Sequence, residues 1–478
     1  MITLLILPFL LGDFVQKWYI PRGMIGECGR LLICDTDRDE NYEFFMPPYG
    51  GAQKAYIYEL HLPDTWQVDS FSYLCDPLMW DVGDFDLDGL ADMVIDASAT
   101  QGYPTMVISV AESPDSFSYP IQEVWRDTVG SPLVTPICAY DIDKDSLPEI
   151  VKVLGNYIHL HIYESIGDNL YDKIAEITTS SSYNSSSTLA FGDFDSDNQN
   201  EFVWGYSGGE YSIWECTGNN SYHEILLQQL PTVNIKDCFA VSDADGDGKP
   251  EFVVKGFVVP TARIHAFIFE ATDDNTYEII DTFDLFGGHN SYYGGYSDVG
   301  DVDGDSIPEI ALEGCQNIYL LKAAGNDSFY VWETLPGNNS GSSVRVFDVD
   351  GNGLSEVIIS GNNETRIYEY EVGVAENIPS EVQFVGLTVS PNPFRDQTLI
   401  RYSIHEADYK MQNPTLKICD ATGRLVKLFN LVSSIQNQGS RVNWNGRDDQ
   451  NRMLSSGVYF LTLTVGDYNA TEKMLLIR

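Results

Sequence analysis

The chain has 478 residues, 43% of them hydrophobic and 12% aromatic, enough apolar side chain for substantial cores and, at this length, for two domains. Its 71 Asp and Glu against 27 Lys and Arg give a formal net charge of −44, which leaves little basic surface to neutralise phosphates. Nucleic acid is therefore disfavoured as a partner, and so is direct binding to an anionic membrane.

The first predicted element is an apolar run through Leu11 that ends at Gly12-Asp13. It has the length of a signal-peptide core and is too short to span a bilayer. It lacks a basic n-region and a clean small-x-small cleavage site, so a start further upstream stays open and a core strand is the alternative. Residues 1–12 are expected to be a signal peptide, and no later segment is long and apolar enough for a membrane helix.

From Asp35 onward a nine-residue pattern recurs seven times, with an acid at positions 1, 3 and 5, a small or polar residue at 6 and an acid at 9. Successive copies start 49, 57, 52, 50, 58 and 47 residues apart. A period of about 50 residues signals a solenoid, a propeller or an array. The candidate ligands are Asp35, Asp37, Asp39 and Glu43; Asp84, Asp86, Asp88 and Asp92; Asp141, Asp143, Asp145 and Glu149; Asp193, Asp195, Asp197 and Glu201; Asp243, Asp245, Asp247 and Glu251; Asp301, Asp303, Asp305 and Glu309; and Asp348, Asp350, Asn352 and Glu356. Carboxylates two residues apart in a tight turn can converge on one hard cation, which takes about 6–8 oxygen ligands. That chemistry points to Ca2+, up to seven ions, in a structural role. Position 7 keeps no side-chain type, which suits a site using only its carbonyl, and position 6 (Gly89, Ser146, Asn198, Gly248, Ser306, Gly353) tolerates a sharp turn.

An EF-hand would need its closing Glu at position 12, where this chain has Ile95 in the second copy and Val254 in the fifth. That rival is excluded by spacing. Two copies are imperfect: Glu40 and Asn41 occupy positions 6 and 7 of the first, and Asn352 position 5 of the seventh. The loops hold 27 of the 71 acids at patterned positions, and seven divalent ions would bring the charge from −44 to −30.

Each period reads as four short strands. In the fourth these are Leu189–Gly192 before the acidic loop, Glu201–Trp204 after it, then Tyr211–Glu215 and Tyr222–Leu227. The third strand recurs as Tyr56-Ile-Tyr-Glu59, His161-Ile-Tyr-Glu164, Phe267-Ile-Phe-Glu270 and Arg366-Ile-Tyr-Glu369. Four strands per period with no convincing helix read as β-propeller blades. The seventh period has only its first three strands, and Phe14-Val-Gln-Lys-Trp-Tyr-Ile-Pro21 parallels the sixth period's fourth strand, Phe329–Pro336. An N-terminal strand is thus expected to complete the last blade and close the ring.

The eight cysteines (28, 34, 75, 138, 216, 238, 315, 419) show neither CxxC nor zinc spacing. Buried free thiols are expected, with a disulfide at Cys28 left open.

The approaches Phe191-Gly-Asp193 and Val82-Gly-Asp84, with the loops that follow, resemble the FG-GAP/VCBS repeat family, whose integrin α-subunit members form calcium-binding seven-bladed propellers. The resemblance spans about residues 13–372. It implies calcium between the first and second strands of each blade, on one face of the disc, and partners on the other.

Residues 373–384 read as a linker, after which basic residues return and the loops vanish. Strands are expected at Thr398–Ile404, Thr415–Cys419, Leu425–Phe429, Val442–Trp444, Val458–Val465 and Glu472–Ile477, a small Ig-like β-sandwich. Ser390-Pro-Asn-Pro-Phe394, Asp420-Ala-Thr-Gly-Arg424, Trp444-Asn-Gly446, Ser456-Gly-Val-Tyr-Phe460 and Lys473–Arg478 resemble the type IX secretion C-terminal sorting domain and the related FlgD-like Ig domain, over residues 385–478. The resemblance implies export by the type IX machinery to the medium or outer surface of a Bacteroidetes-type bacterium.

The whole is expected to be all-β: a seven-bladed β-propeller at 13–372 followed by a small Ig-like sandwich at 385–478. One string, Gly205-Tyr-Ser207-Gly-Gly209, fits GxSxG, but it lies in a glycine turn between strands where a nucleophile elbow needs strand-turn-helix. No HExxH occurs, and the calcium loops account for the clustered carboxylates. A non-enzymatic binding or adhesion module for an extracellular glycan or protein is therefore expected. A secreted polysaccharide lyase or hydrolase on the same scaffold is the alternative. Tyr292, Tyr293 and Tyr296, in the Gly-rich stretch Gly287–Tyr296, are candidate ligand contacts because exposed aromatics stack on sugars and anchor partners, and packing between blades is their alternative role.

Overall fold

In a computed structural model the chain divides into two compact units, Met1–Gly373 and Val374–Arg478. The described residues are 12–21, 31–46, 54–61, 65–72, 75–98, 106–129, 137–154, 159–183, 187–231, 234–258, 263–286, 295–314, 316–337, 343–361 and 364–372 in the first unit, and 385–390, 392, 394–395, 397–404, 415–421, 423–430, 440–450, 452–465 and 468–477 in the second. Of the expected signal peptide at 1–12, residues 1–11 lie outside them and Gly12 is instead the first residue of a strand; the expected linker at 373–384 also lies outside them. Among the described residues there is no α-helix.

The first unit consists of repeated four-stranded antiparallel sheets, the architecture of a β-propeller. In chain order the first sheet comprises Leu32–Cys34, Glu43–Met46, Lys54–His61 and Thr65–Ser72; the second Cys75–Gly83, Asp92–Ser98, Met106–Glu112 and Gln122–Val129. The third comprises Ile137–Tyr140, Glu149–Val153, His159–Gly167 and Leu170–Thr178; the fourth Leu189–Gly192, Glu201–Gly205, Glu210–Gly218 and Ser221–Gln229. The fifth comprises Asn234–Val241, Glu251–Val258, Arg263–Asp273 and Thr276–Phe286; the sixth Asp298–Gly300, Glu309–Gly314, Asn317–Gly325 and Ser328–Pro336. The seventh comprises Ser343–Phe347, Glu356–Gly361 and Glu364–Val372, and its outer strand is the N-terminal Gly12–Ile20.

That last pairing is the expected closing strand. It carries a further mark of its role: the ladder between Gly12–Ile20 and Glu364–Val372 slips by one residue at Lys17. The same one-residue bulge interrupts the third-to-fourth strand ladder in the second to sixth sheets, at Val124, Ile174, Ile225, Ile280 and Trp332.

Burial follows strand position. Second strands such as Glu149–Val153 and Glu309–Gly314 are buried along their whole length, so after the leading acid they are mostly apolar, with Lys152 and Glu313 as buried charges. Fourth strands such as Thr65–Ser72 and Leu170–Thr178 are mostly exposed, and their polar residues blunt the outer edge. Cores form between successive sheets. Leu32, Phe45 and Ile57 of the first pack with Met93, Ile95 and Val107 of the second, and Trp18, Ile358 and Ile367 of the seventh pack with Ile33, Phe44 and Leu60 of the first. The sheets therefore close into a ring.

First strands are laced to their neighbours by buried or half-buried carboxylates. Asp81 accepts from the N–H of Ala139 (2.9 Å), Asp237 from Ser297 (2.8 Å) and Asp298 from Val346 (3.0 Å). Deeper between the sheets lie two fully buried lysines of the second strands. Lys152 Nζ meets Asp96 Oδ2 at 2.5 Å. Lys255 Nζ lies 3.3 Å from Asp237 Oδ2 and donates to Ser297 Oγ at 2.8 Å.

Tyr296 corrects its expected surface role. It is 7% exposed, meets the Trp80 ring edge-on at 5.9 Å and pairs with Ser343. A large ring with an apolar wall available gains more from burial than from solvent. Tyr292 and Tyr293 lie outside the described residues.

The second unit has a three-stranded sheet (Val385–Ser390, Thr398–Ile404, Ser440–Trp444) and a four-stranded one (Leu425–Asn430, Thr415–Asp420, Gly457–Val465, Tyr468–Leu476). Both contribute to one core containing Phe394, Ile400, Leu416, Trp444, Tyr459 and Leu461. Each short motif has a structural task. Phe394 exchanges backbone hydrogen bonds with Leu475 and Ile477, Asn392 bonds Lys473 O and Leu475 N, and Trp444 Nε1 donates to Arg447 O at 2.9 Å. Val385–Ser390 is a strand that the sequence pattern leaves unmarked.

Cys34, Cys138, Cys216, Cys238 and Cys419 are free thiols, of which Cys216 and Cys238 are buried. Cys28 and Cys315 lie outside the described residues, and the side chain of Cys75 is likewise outside the description.

Candidate metal centres

All seven acidic loops join the first strand of a sheet to its second, and the position-9 acid is the first residue of that second strand every time. The approach is shaped by glycine in two sheets: a Cβ at Gly83 would meet the Phe85 ring at 2.9 Å, and one at Gly192 the Phe194 ring at 3.0 Å. Position 2 (Thr36, Phe85, Ile142, Phe194, Ala244, Val302, Val349) is buried in all seven and anchors the loop to the core. The backbone is left-handed at both position 4 and position 6, from Arg38 and Glu40 to Gly351 and Gly353. The pattern marks position 6 alone; at position 4 even Leu87 adopts φ 63°.

The loops share one hydrogen-bond scheme. The N–H of position 7 donates to the position-5 side chain in all seven, from Asn41 on Asp39 at 2.8 Å to Leu354 on Asn352 at 2.8 Å. The N–H of position 2 donates to one oxygen of the position-9 carboxylate in all seven, at 2.7–2.9 Å. The other position-9 oxygen (Glu43, Glu149, Glu201, Glu251, Glu309 and Glu356 Oε1, Asp92 Oδ1) is buried with no hydrogen-bond partner, though in the sixth loop it has an ion-pair contact, Lys322 Nζ at 3.1 Å from Glu309 Oε1. One oxygen each of Asp37, Asp84, Asp141, Asp193 and Asp303 shares that state.

The side chains converge. Carboxylate oxygens of Asp35, Asp37, Asp39 and Glu43 all lie within 4.8 Å of one another, as do those of Asp243, Asp245, Asp247 and Glu251, of Asp84, Asp86 and Asp92, and of Asp141, Asp143 and Glu149. Burial pushes the position-9 carboxyls up, to about 8 for Glu43, Glu149, Glu201, Glu251 and Glu356 and to about 7 for Asp92 and Glu309. Such a pocket of oxygen donors alone, with a buried oxygen left over, suits a hard cation.

Two sets of residues in these sites are absent from the nine-residue pattern. The first is on the third strand. Glu43 pairs across the sheet with Glu59, Asp92 with Glu112, Glu201 with Glu215 and Glu251 with Glu270. Like charges directly opposite destabilise a strand pair unless something lies between them. Glu112 joins Asp86 and Asp88 in a further cluster within 4.8 Å.

The second set comes from the neighbouring sheet. The turn between third and fourth strands places a left-handed Asn169, Asn220, Asn275 or Asp327 (φ 55–57°) against the preceding loop. Their N–H groups donate to position 3: Asn169 to Asp86 (2.6 Å), Asn220 to Asp143 (2.8 Å), Asn275 to Asp195 (2.7 Å) and Asp327 to Asp245 (2.6 Å). Asn220 and Asn275 also reach Glu164 (3.3 Å) and Glu215 (2.7 Å) through their amides.

The GxSxG string forms a turn between antiparallel strands, with Tyr206 accepting from the N–H of Gly209 at 3.1 Å and its ring fully buried. Strand-turn-strand geometry is not that of a nucleophile elbow.

Among known families, residues 388–477 match the secretion system C-terminal sorting domain. The second unit is a type IX sorting domain. It marks the chain as a secreted or cell-surface protein of a Bacteroidetes-type bacterium and the secretion machinery as a partner. No curated protein matches the chain. Similar solved structures include BBS1N in complex with ARL6DN, 10% identical over 77% of this chain and 100% of that one with a TM-score of 0.49. Another is PorZ, a bacterial surface component of the type IX secretion system of Porphyromonas gingivalis, 12% identical over 95% of this chain and 70% of that one with a TM-score of 0.30. Among the described residues, no helix is long and apolar enough to cross a membrane.

Proposed function

We propose that the first unit is a calcium-binding propeller of the FG-GAP/VCBS type, seven-bladed, that serves at the cell surface as a binding or adhesion module for a glycan or protein. The observation that carries the metal reading is the repeated buried oxygen of position 9, which has a backbone donor on its twin and none of its own. A hard divalent ion coordinated by positions 1, 3, 5 and 9 and the position-7 carbonyl would satisfy that oxygen and separate the facing glutamates of the second and third strands. The ion's task there is structural: it holds an acidic loop against its own repulsion. The acids are accounted for by this role, so they supply no separate argument for hydrolase or lyase chemistry.

The test is a polysaccharide and glycoprotein array probed with the full chain, in calcium and after chelation. Saturable, calcium-dependent binding with the ligand recovered intact is expected. Product formation would overturn the binding-module reading, and a blank with folded, calcium-loaded protein would overturn glycan capture and leave a protein ligand.

A further inference from the structure

Six of the seven sheets set an acid opposite position 9, and one does not. Where Glu149 and Glu356 face Glu164 and Glu369 by continuation of the Ile150–Tyr163 and Val357–Tyr368 pairs, the sixth sheet pairs Ile310 with Leu321, so Glu309 faces Lys322. We infer that Lys322 is the resident cation of the sixth loop and that this loop takes no calcium; the inference rests on the reading of the other loops as calcium sites.

The ammonium does what an ion would do. Lys322 Nζ hydrogen-bonds Asp303, donates to Asp305 Oδ2 at 2.8 Å and lies 3.1 Å from Glu309 Oε1, the oxygen that has no hydrogen bond in the other loops. Positions 3, 5 and 9 are thereby all in contact with one positive charge. Position 1 is occupied separately: Asp301 accepts from the N–H groups of Gly304 (2.7 Å) and Ser306 (2.8 Å). The lysine is 19% exposed and its ammonium lies 5.2 Å over the Trp332 ring, so it is held from behind as well. A calcium ion bound to the same oxygens would sit within contact distance of the ammonium, and the two repel. Because the lysine is tethered to the third strand, it is always present at the site, and no change in free calcium dilutes it.

Two other lysines near the loops show what is special here. Lys249, at position 7 of the fifth loop, pairs with Glu270 but stays 4.0 Å from Asp247 and is half-exposed. Lys144, in the third loop, reaches across to Asp193 of the fourth at 3.3 Å. Neither enters its own loop as Lys322 does.

The experiment counts bound calcium on the stripped full chain by calorimetric titration and native mass spectrometry. Glu251→Gln should lower the count by one, Glu309→Gln should leave it unchanged, and Lys322→Glu, which restores the facing pair of the other sheets, should raise it by one. Circular dichroism confirms that each variant is folded, and Lys322→Gln provides a milder second route to the same vacancy. A count of seven for the wild type, or a loss of one ion on Glu309→Gln, would overturn the inference while leaving the calcium reading intact. A wild-type count of zero would overturn both.

Discussion

The Asp96–Lys152 pair can be tested by removing each half in turn. Both side chains are fully buried, one on the second sheet and one on the third, with 2.5 Å between charged atoms. Taking away one partner leaves the other charge in the core without its ion pair, a defect of about 3–5 kcal/mol, whereas replacing both by apolar groups of similar volume is close to neutral. The two single defects should respond to pH in opposite directions. In Lys152→Met the remaining carboxyl takes up a proton in the folded state, its folded pKa lies above the unfolded value, and stability falls as pH rises between them. In Asp96→Asn the remaining amine loses its proton. Burial already lowers Lys152 below the ordinary lysine value with Asp96 present, so without it stability rises with pH across the interval between folded and unfolded pKa. Each slope is about 1.4 kcal/mol per pH unit while its group titrates. The assay is urea unfolding of the calcium-loaded full chain, followed by tryptophan fluorescence at about pH 6 and again about 2.5 units higher, where those slopes should have separated the two variants. The reasoning fails if both single variants stay within about 1 kcal/mol of wild type, if they drift the same way with pH, or if the Asp96→Leu, Lys152→Met double variant shows the sum of the single losses.

Chelation should lower the thermal midpoint of the first unit sharply, and calcium should restore it more fully than magnesium, since the loops offer many oxygens in a flexible array and little octahedral constraint. Scanning calorimetry with and without chelator decides this, and an unchanged midpoint would count against a structural ion. Removing residues 388–477 should abolish export in a host with type IX secretion, read by fractionation and immunoblot; undiminished surface or medium protein would show that the sorting domain is dispensable.

What could be read in the sequence was what lies close along the chain. Metal ligands at positions 1 to 9 share one turn, so their spacing survives as a pattern, and the sorting-domain motifs are likewise local, as in the Asp420–Arg424 turn, where Gly423 has φ 84°. The glutamates of the third strand were in view as part of Tyr-Ile-Tyr-Glu59 and its copies, yet their partnership with position 9 depends on cross-strand register. Lys322 was obscured for the same reason: only the pairing of Ile310 with Leu321 places it opposite Glu309. The turn residues lie still further off, with Asn169 separated from Asp86 by 83 positions. A signal for them does exist, since Gly167-Asp-Asn169-Leu-Tyr171, Gly218-Asn-Asn220-Ser-Tyr222 and Gly325-Asn-Asp327-Ser-Phe329 recur at spacings of one and then two periods. Tyr296 went the other way: a glycine-rich context suggested exposure, and the neighbouring Trp80 supplied a reason for burial.

The N-terminal strand that completes the seventh sheet sets the order in which this molecule can be made. Leu31 donates its N–H to Ser343, 312 residues later, and Gly12 pairs with Val372. The first sheets to emerge during synthesis therefore wait, with one flank uncovered, until almost the whole unit exists. Contacts of such sequence separation are slow to form, and the interval exposes unpaired strand edges to other chains. Shielding of those edges until the ring closes is what this topology favours. The same arrangement makes the finished ring kinetically durable, because opening it means releasing both termini of the unit from one sheet.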